Sequence, residues 1–183
     1  MFSGINELEF VKTKEVKSPL RASQYDAGID LFIPVINEEF IEEFNDKNKV
    51  ETTPFNQTSR IRNNKIVIPA HQRVLIPSGI HFKTPENTAL IAFNKSGVAT
   101  KQGLTAMACV VDSSYTGETH ISLLNTTDNN IIIEENKKII QFLLVPIVHC
   151  GLKEVYSTED MYSTHTPSIE SQRGCGGFGS TGN

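Results

Sequence analysis

The sequence has no long apolar run. The longest nearly unbroken one, Ile139 to Val148, is ten residues and contains Gln141 and Pro146, whereas a membrane-spanning helix needs roughly 20. A membrane-spanning role is therefore not expected. There is no surplus of basic charge either: 17 Lys and Arg face 21 Asp and Glu, a net charge of −4. This argues against gripping a nucleic-acid backbone by bulk electrostatics but leaves local anion binding open. Cysteine is scarce, and Cys109, Cys150 and Cys175 form no CxxC pair, so neither a disulfide framework nor a zinc ribbon is indicated. The five histidines are scattered, which gives a protein-ligated metal site no support. The stretch MFSGINELEFVKTKEVK mixes Glu and Lys and lacks the apolar segment of a secretory leader. The expected compartment is the cytoplasm, or the host cytoplasm for a viral protein.

What the sequence does have is short Val-, Ile-, Leu- and Thr-rich runs. From Lys65 onward KIVIP, RVLIP, GIHFKTP, TALIAF, AMACVV, ETHISLL, NIIIEE and KIIQFLLVPIV follow one another, punctuated by PSG, TPEN, DSSYTGE and TTDNN. Strand-sized runs separated by residues that favour reversal predict an all-β domain, a barrel or a sandwich. The length of 183 residues suits a single core. One segment departs from the rhythm. NEEFIEEFNDKN puts Phe40, Ile41 and Phe44 on one helical face behind an Asn37 N-cap, which predicts a helix over 38–46. With the polar residues after it, the segment 37–64 reads as an insertion, a surface decoration in preference to a partner-binding device.

Three segments hold chemistry-bearing residues. The C-terminal RGCGGFGSTG has five glycines and cannot pack a core. It reads either as a frayed terminus or as a phosphate-binding strap, with backbone amides, Arg173, Ser180 and Thr181 as donors and Phe178 as a ring-stacking group. Asp112 ends the apolar run ACVVD before a tight reversal containing Tyr115. An acid at that rim is a turn cap or a general base. FNKSGVATKQG supplies a hydroxyl, an open amide and a cation at Lys95, Ser96 and Gly97, a weak anion nest. In DAGIDLF, Gly28 sits at the mouth of a short strand between Asp26 and Asp30, acids that are either structural or hold a metal-bound water.

The order of the pieces is more specific than any one of them. AGIDL at 27–31, KSG at 95–97, VVDSSYTGE at 110–118, Gln141 within KKIIQFLLV and RGCGGFGSTG at 173–182 together resemble the five motifs of the trimeric dUTPases, across nearly the whole chain. The resemblance implies a distorted β jelly roll forming a homotrimer, with three active sites at subunit interfaces. It implies hydrolysis of dUTP to dUMP and pyrophosphate, which limits uracil incorporation into DNA and supplies dUMP for thymidylate synthesis. Mg²⁺ would be bound through the substrate's triphosphate, without a direct protein ligand.

Residue by residue, the resemblance makes Asp112 the base for the attacking water and Tyr115 the wall that leaves no room for a 2′-hydroxyl. The strand backbone from Ala106 to Val111, Val110 and Val111 included, would read the uracil edge. Lys95, Ser96 and Gly97 would hold the α- and β-phosphates, and Gln141 phosphate or the catalytic water. Asp30 would support the metal's water shell or a neighbouring cation. Arg173 would meet the γ-phosphate, Phe178 would cap the uracil, and Gly179, Ser180 and Thr181 would wrap the phosphates. On this reading residues 1–170 form the β domain and 171–183 a glycine-rich lid.

The sequence also departs from the family pattern. Lys95 and Lys138 stand where Arg is usual, Cys109 where glycine is common, Ser114 where a second acid is frequent, and Cys175 where Ser is usual. A lysine is a point charge in place of a bidentate fork. Two other readings compete with the resemblance. A dCTP deaminase would need an Arg shortly after the Ser motif, which NKSGVAT lacks. A non-catalytic regulator that binds nucleotide would use the 37–64 insertion to hold a protein partner.

Overall fold

The computed structural model describes residues 7–49 and 60–162, in two compact units that meet in the chain at Val148 and His149. The first unit is built almost wholly of antiparallel strands, as the short apolar runs predict. Of the second, the described part holds one short helix, Thr158–Tyr162. Among the described residues no helix is long and apolar enough to cross a membrane.

The sheet that organises the site has the order β2-β12-β7-β9, from β2 (Ile29–Phe32), β12 (Lys138–Pro146), β7 (Thr88–Asn94) and β9 (Val110–Asp112). A second sheet joins β5 (Arg73–Pro77), β10 (His120–Asn125) and β8 (Leu104–Ala106), and a third joins β11 (Ile131–Glu134), β4 (Lys65–Ile68) and β3 (Arg60–Arg62). A two-stranded ribbon pairs β1 (Glu9–Lys12) with β6 (Ile80–Lys83). Alternation explains the core: in β10, Ile121 and Leu123 point inward between half-buried neighbours, the period-two pattern of a strand with one covered face. Ile66, Ile68, Ile76, Leu90 and Leu104 meet them in the same cluster.

The 37–64 segment differs from the expected surface decoration. Helix α1 spans Glu38–Lys47, with the Asn37 side chain accepting the Phe40 N–H at 2.9 Å. Its Phe40 and Phe44 rings stack 5.9 Å apart and are 1% and 0% exposed within the main core. Asn48 then clamps the helix to β5, donating to Leu75 O at 2.8 Å and accepting the Leu75 N–H at 2.9 Å. An amphipathic stripe two aromatics wide buries too much apolar surface to be ornamental. Further on, Asn63 and Asn64 both take positive φ, 50° and 53°, and close the β3–β4 hairpin, a two-residue turn that Asn tolerates. Residues 50–59 lie outside the described residues.

Phe44→Ala should therefore destabilise the fold by about 3–5 kcal/mol, the cost of an aromatic-sized cavity. Chemical denaturation would show a large fall in midpoint at unchanged slope. A midpoint close to the wild type would mean that α1 is peripheral after all.

Candidate active site

Two groups of polar residues are assembled at the two ends of β7. The first follows its last residue, Asn94. Lys95 is the N-cap of helix α2 (Ser96–Gln102), an element the sequence reading did not anticipate, and makes no side-chain cap bond. A Cβ added at Gly97 would meet nothing within 4 Å, so glycine here leaves the backbone open to an approaching ligand instead of relieving a clash. The cleft beside it, about 390 Å³, is lined by Lys95, Ser96, Gly97, Lys101 and Gln141.

Gln141 enters this cleft from β12, one strand over. Its amide nitrogen donates to Asn94 O at 2.9 Å. Its side-chain oxygen lies so near β2 that a Cβ on Gly28 would be 2.1 Å from it. Gly28 is thus required by close approach of a neighbouring side chain, a constraint the sequence showed only as a glycine at a strand mouth.

Asp30, cross-strand from Gln141, is 5% exposed. Lys95 Nζ pairs with its Oδ1, and Lys138 Nζ lies 3.2 Å from its Oδ2. Lys138 also sits 5.4 Å above the Phe32 ring. Both carboxylate oxygens of Asp30 are thus occupied by ammonium groups. Asp26 caps its own turn by accepting the Ser23 N–H at 2.9 Å. Two lysines on one carboxylate, with Lys101 nearby, give this end of β7 a local positive charge in an acidic protein. Lys138 was visible in the sequence only as a departure from an arginine, and Asn94 not at all.

The second group follows β9. Asp112 is exposed at the strand end, and its carbonyl accepts the Tyr115 N–H at 3.1 Å. Tyr115 is 44% exposed, and its hydroxyl donates to Glu118 O at 2.9 Å. Gly117 is the residue this packing demands, since a Cβ there would lie 2.5 Å from the Tyr115 oxygen. The ring borders a cleft of about 370 Å³ shared with Phe10, Val11 and Phe82.

The continuous strand expected over 106–111 is not formed. Leu104–Ala106 pairs with β10, whereas Val110–Asp112 pairs with β7. Met107 to Cys109 carry the chain between the two sheets, tied by Met107 N–H to Ser122 O at 3.0 Å and Ala92 N–H to Cys109 O at 2.7 Å. The sheet change breaks the run because each half finds a different partner. Among the described residues β9 is the edge of its sheet, so one row of the Val110 and Val111 backbone groups has no strand beside it.

The register of β7 keeps the two groups apart. Asp112 pairs with Ala89 near the start of the strand, whereas Lys95 follows its end at Asn94. From 89 to 95 at roughly 3.3 Å per residue is about 20 Å. A general base acts within hydrogen-bond reach of its water, far less than the span along β7 between Asp112 and Ser96 of one chain. Arg173, Phe178, Gly179, Ser180 and Thr181 lie outside the described residues.

The dUTPase family profile matches residues 61–182. The deoxyuridine 5′-triphosphate nucleotidohydrolase of Clostridium tetani (strain Massachusetts / E88) is 33% identical over 171 residues, covering 92% of this chain and 91% of that protein. The protein of the same name from Paramecium bursaria Chlorella virus 1 is 37% identical over 117 residues, 64% of this chain and 76% of that protein. Among solved structures, the dUTPase of Staphylococcus bacteriophage 80alpha with dUPNHPP superimposes with a TM-score of 0.68 at 22% identity, over 97% of this chain and 99% of that one. The distorted jelly roll implied by the sequence is the fold these structures share with it.

Proposed function

The chain belongs to the dUTPase family, and from that premise we propose how its own residues hydrolyse dUTP to dUMP and pyrophosphate. The observation that carries the proposal is the separation along β7 of the Asp112–Tyr115 turn from the Lys95–Ser96–Gln141 cleft. It supports a homotrimer whose active sites are shared: one chain offers Asp112 and Tyr115, and another offers the phosphate cleft.

In such a site the Asp112 carboxylate accepts a proton from a water as its oxygen bonds to the α-phosphorus. The bond from that phosphorus to the bridging oxygen breaks, and the electron pair leaves with pyrophosphate. Ser96, the Gly97 amide and Lys95 receive the charge that develops on the phosphate oxygens. Gln141, held by Asn94 and pressed against Gly28, is preorganised to orient phosphate or water. The Tyr115 ring closes the space a 2′-hydroxyl would need, and the open edge of β9 at Val110 and Val111 reads the uracil. Arg173, Phe178 and the Gly179–Thr181 stretch complete the proposal as a lid over the γ-phosphate and base.

The donors of the phosphate cleft fit a metal held by substrate. Asp30, the buried carboxylate beside it, is already saturated by Lys95 and Lys138. Mg²⁺ carried by the triphosphate would neutralise phosphate charge and favour departure of pyrophosphate. A protein partner at the 37–64 segment would meet the acidic outer face of α1, Glu38, Glu39, Glu42 and Asp46, all exposed. Deleting that segment would remove Phe40 and Phe44 from the core, so charge reversal on this face is the cleaner probe of a partner.

The deciding experiment is pyrophosphate release from dUTP, dCTP, dTTP and UTP, each with Mg²⁺ and with chelator. Turnover confined to dUTP and strongly reduced by chelator is expected. Turnover of dCTP with ammonia release would support a deaminase instead. Inertness toward all four would turn the reading to a nucleotide-binding regulator.

A further inference from the structure

Residues 113–119 run between β9 and β10 outside either ladder, so beyond the backbone bonds from Tyr115 to Asp112 and from Thr119 to Ile80 the turn relies on side chains. Its anchor is Glu118. The Glu118 carbonyl oxygen takes the Tyr115 hydroxyl and His120 Nδ1–H, each at 2.9 Å. The Glu118 carboxylate accepts the Gly79 N–H and lies 3.2 Å from Lys14 Nζ. Lys14 in turn lies 2.7 Å from Glu43 on α1. The Lys14 and Glu118 side chains are each only 11% exposed, so neither carries its charge at ease without the other.

The lysine is fixed in place by backbone as well. Thr13 N–H donates to Gly79 O at 2.9 Å. Gly79 has a φ of +68°, and a Cβ there would lie 2.7 Å from Lys14 Cβ. Positive φ and close approach both call for glycine. Desolvation opposes the charge on Lys14, but the Glu43 and Glu118 carboxylates outweigh it and hold its pKa above the usual lysine value. Desolvation likewise opposes the charge on Glu43, and Lys14 outweighs it to keep the carboxyl below the usual value. The ammonium bridges the Glu43 and Glu118 carboxylates, and polar side-chain atoms of Glu43, Glu118 and His120 lie within 4.8 Å of one another.

We propose that Lys14 is a positioning residue for the sugar check: it fixes Glu118, whose carbonyl holds the Tyr115 hydroxyl, and through Glu43 it makes the exclusion of a 2′-hydroxyl depend on helix α1. This inference rests on the reading of Tyr115 as the wall beside the deoxyribose. The path is Glu43, Lys14, Glu118, Tyr115: its first two links join segments far apart in sequence, and the last closes within the turn. The ring is 44% exposed and rests on Gly117, so its hydroxyl bond is a main restraint and loosening that anchor widens the space it guards.

The test is kcat/KM for dUTP and for UTP, measured on the full chain with melting curves as a check of folding. Lys14→Met should lower the dUTP/UTP ratio about tenfold, with kcat for dUTP changed much less. Lys14→Arg should keep the ratio near wild type. Glu43→Gln should lower it about threefold alone and add nothing in the Lys14→Met background, because both act through one contact. If Lys14→Met does not fold, Glu43→Gln carries the test by itself. A ratio unmoved by Lys14→Met, or by Glu43→Gln in its place, while Tyr115→Ala lowers it would overturn the inference and leave the sugar check standing. A ratio unmoved by Tyr115→Ala would overturn the sugar check, and the inference with it.

Discussion

Replacing Asp112 by Asn should lower kcat for dUTP by about 10²- to 10⁴-fold and change KM by no more than a few-fold, the loss associated with one general base. The substitution is nearly isosteric, and Asp112 is exposed at the end of β9, where its contact to the turn runs through its main-chain carbonyl to the Tyr115 N–H. Folding, the Tyr115 turn and nucleotide binding should therefore survive, and the deficit should appear in the chemical step. Single-turnover pyrophosphate release, with binding followed separately, makes the distinction. Full turnover by Asp112→Asn would sink the assignment of the base. Loss of binding in place of kcat would make Asp112 a turn residue.

The second large effect is restoration of activity. Ser96→Ala should cost about 10²-fold, the scale of one lost donor to developing phosphate charge, and Asp112→Asn costs at least as much. Mixed at equal ratio by co-expression or by unfolding and refolding together, the two inactive variants should recover about a quarter of wild-type activity. In a cyclic trimer three-quarters of the assemblies are mixed, and each mixed assembly has one site in three with both residues intact. The expectation follows from β7, which sets Asp112 opposite Ala89 and Lys95 beyond Asn94. No recovery in verified mixed assemblies would mean that one chain completes its own site, contrary to that register.

The all-β architecture was legible because its cues are local. Runs such as KIVIP and NIIIEE became β4 and β11, and Asn37 capped the helix it was expected to cap. Other features were hidden for physical reasons. Strand β1, EFVK, is exposed along its whole length, so no alternation marked it. Helix α2 follows a strand with no side-chain cap. The run AMACVV read as one strand because hydrophobicity cannot tell which sheet a segment joins. Helix α1 looked like decoration because its partner, β5, begins more than two dozen residues later, and the bonds from Asn48 to Leu75 span 27 positions.

By itself the sequence determined the inventory: an acid at a strand end before a tyrosine turn, a Lys-Ser-Gly step, a glutamine within an apolar strand and a glycine-rich tail, in the order of a known family. These are properties of neighbouring residues, and neighbours are what a linear pattern records. Tertiary structure decided what long-range pairing decides. It set Asp112 and Ser96 at opposite ends of β7, brought Lys95 to Asp30 across 65 positions, and joined Lys14 to Glu118 across 104. Strand register controls those meetings, and a shift of one residue would redirect every side chain. Local motifs therefore carried the resemblance, and only the folded chain showed that Asp112 and Ser96 of one copy lie at opposite ends of β7.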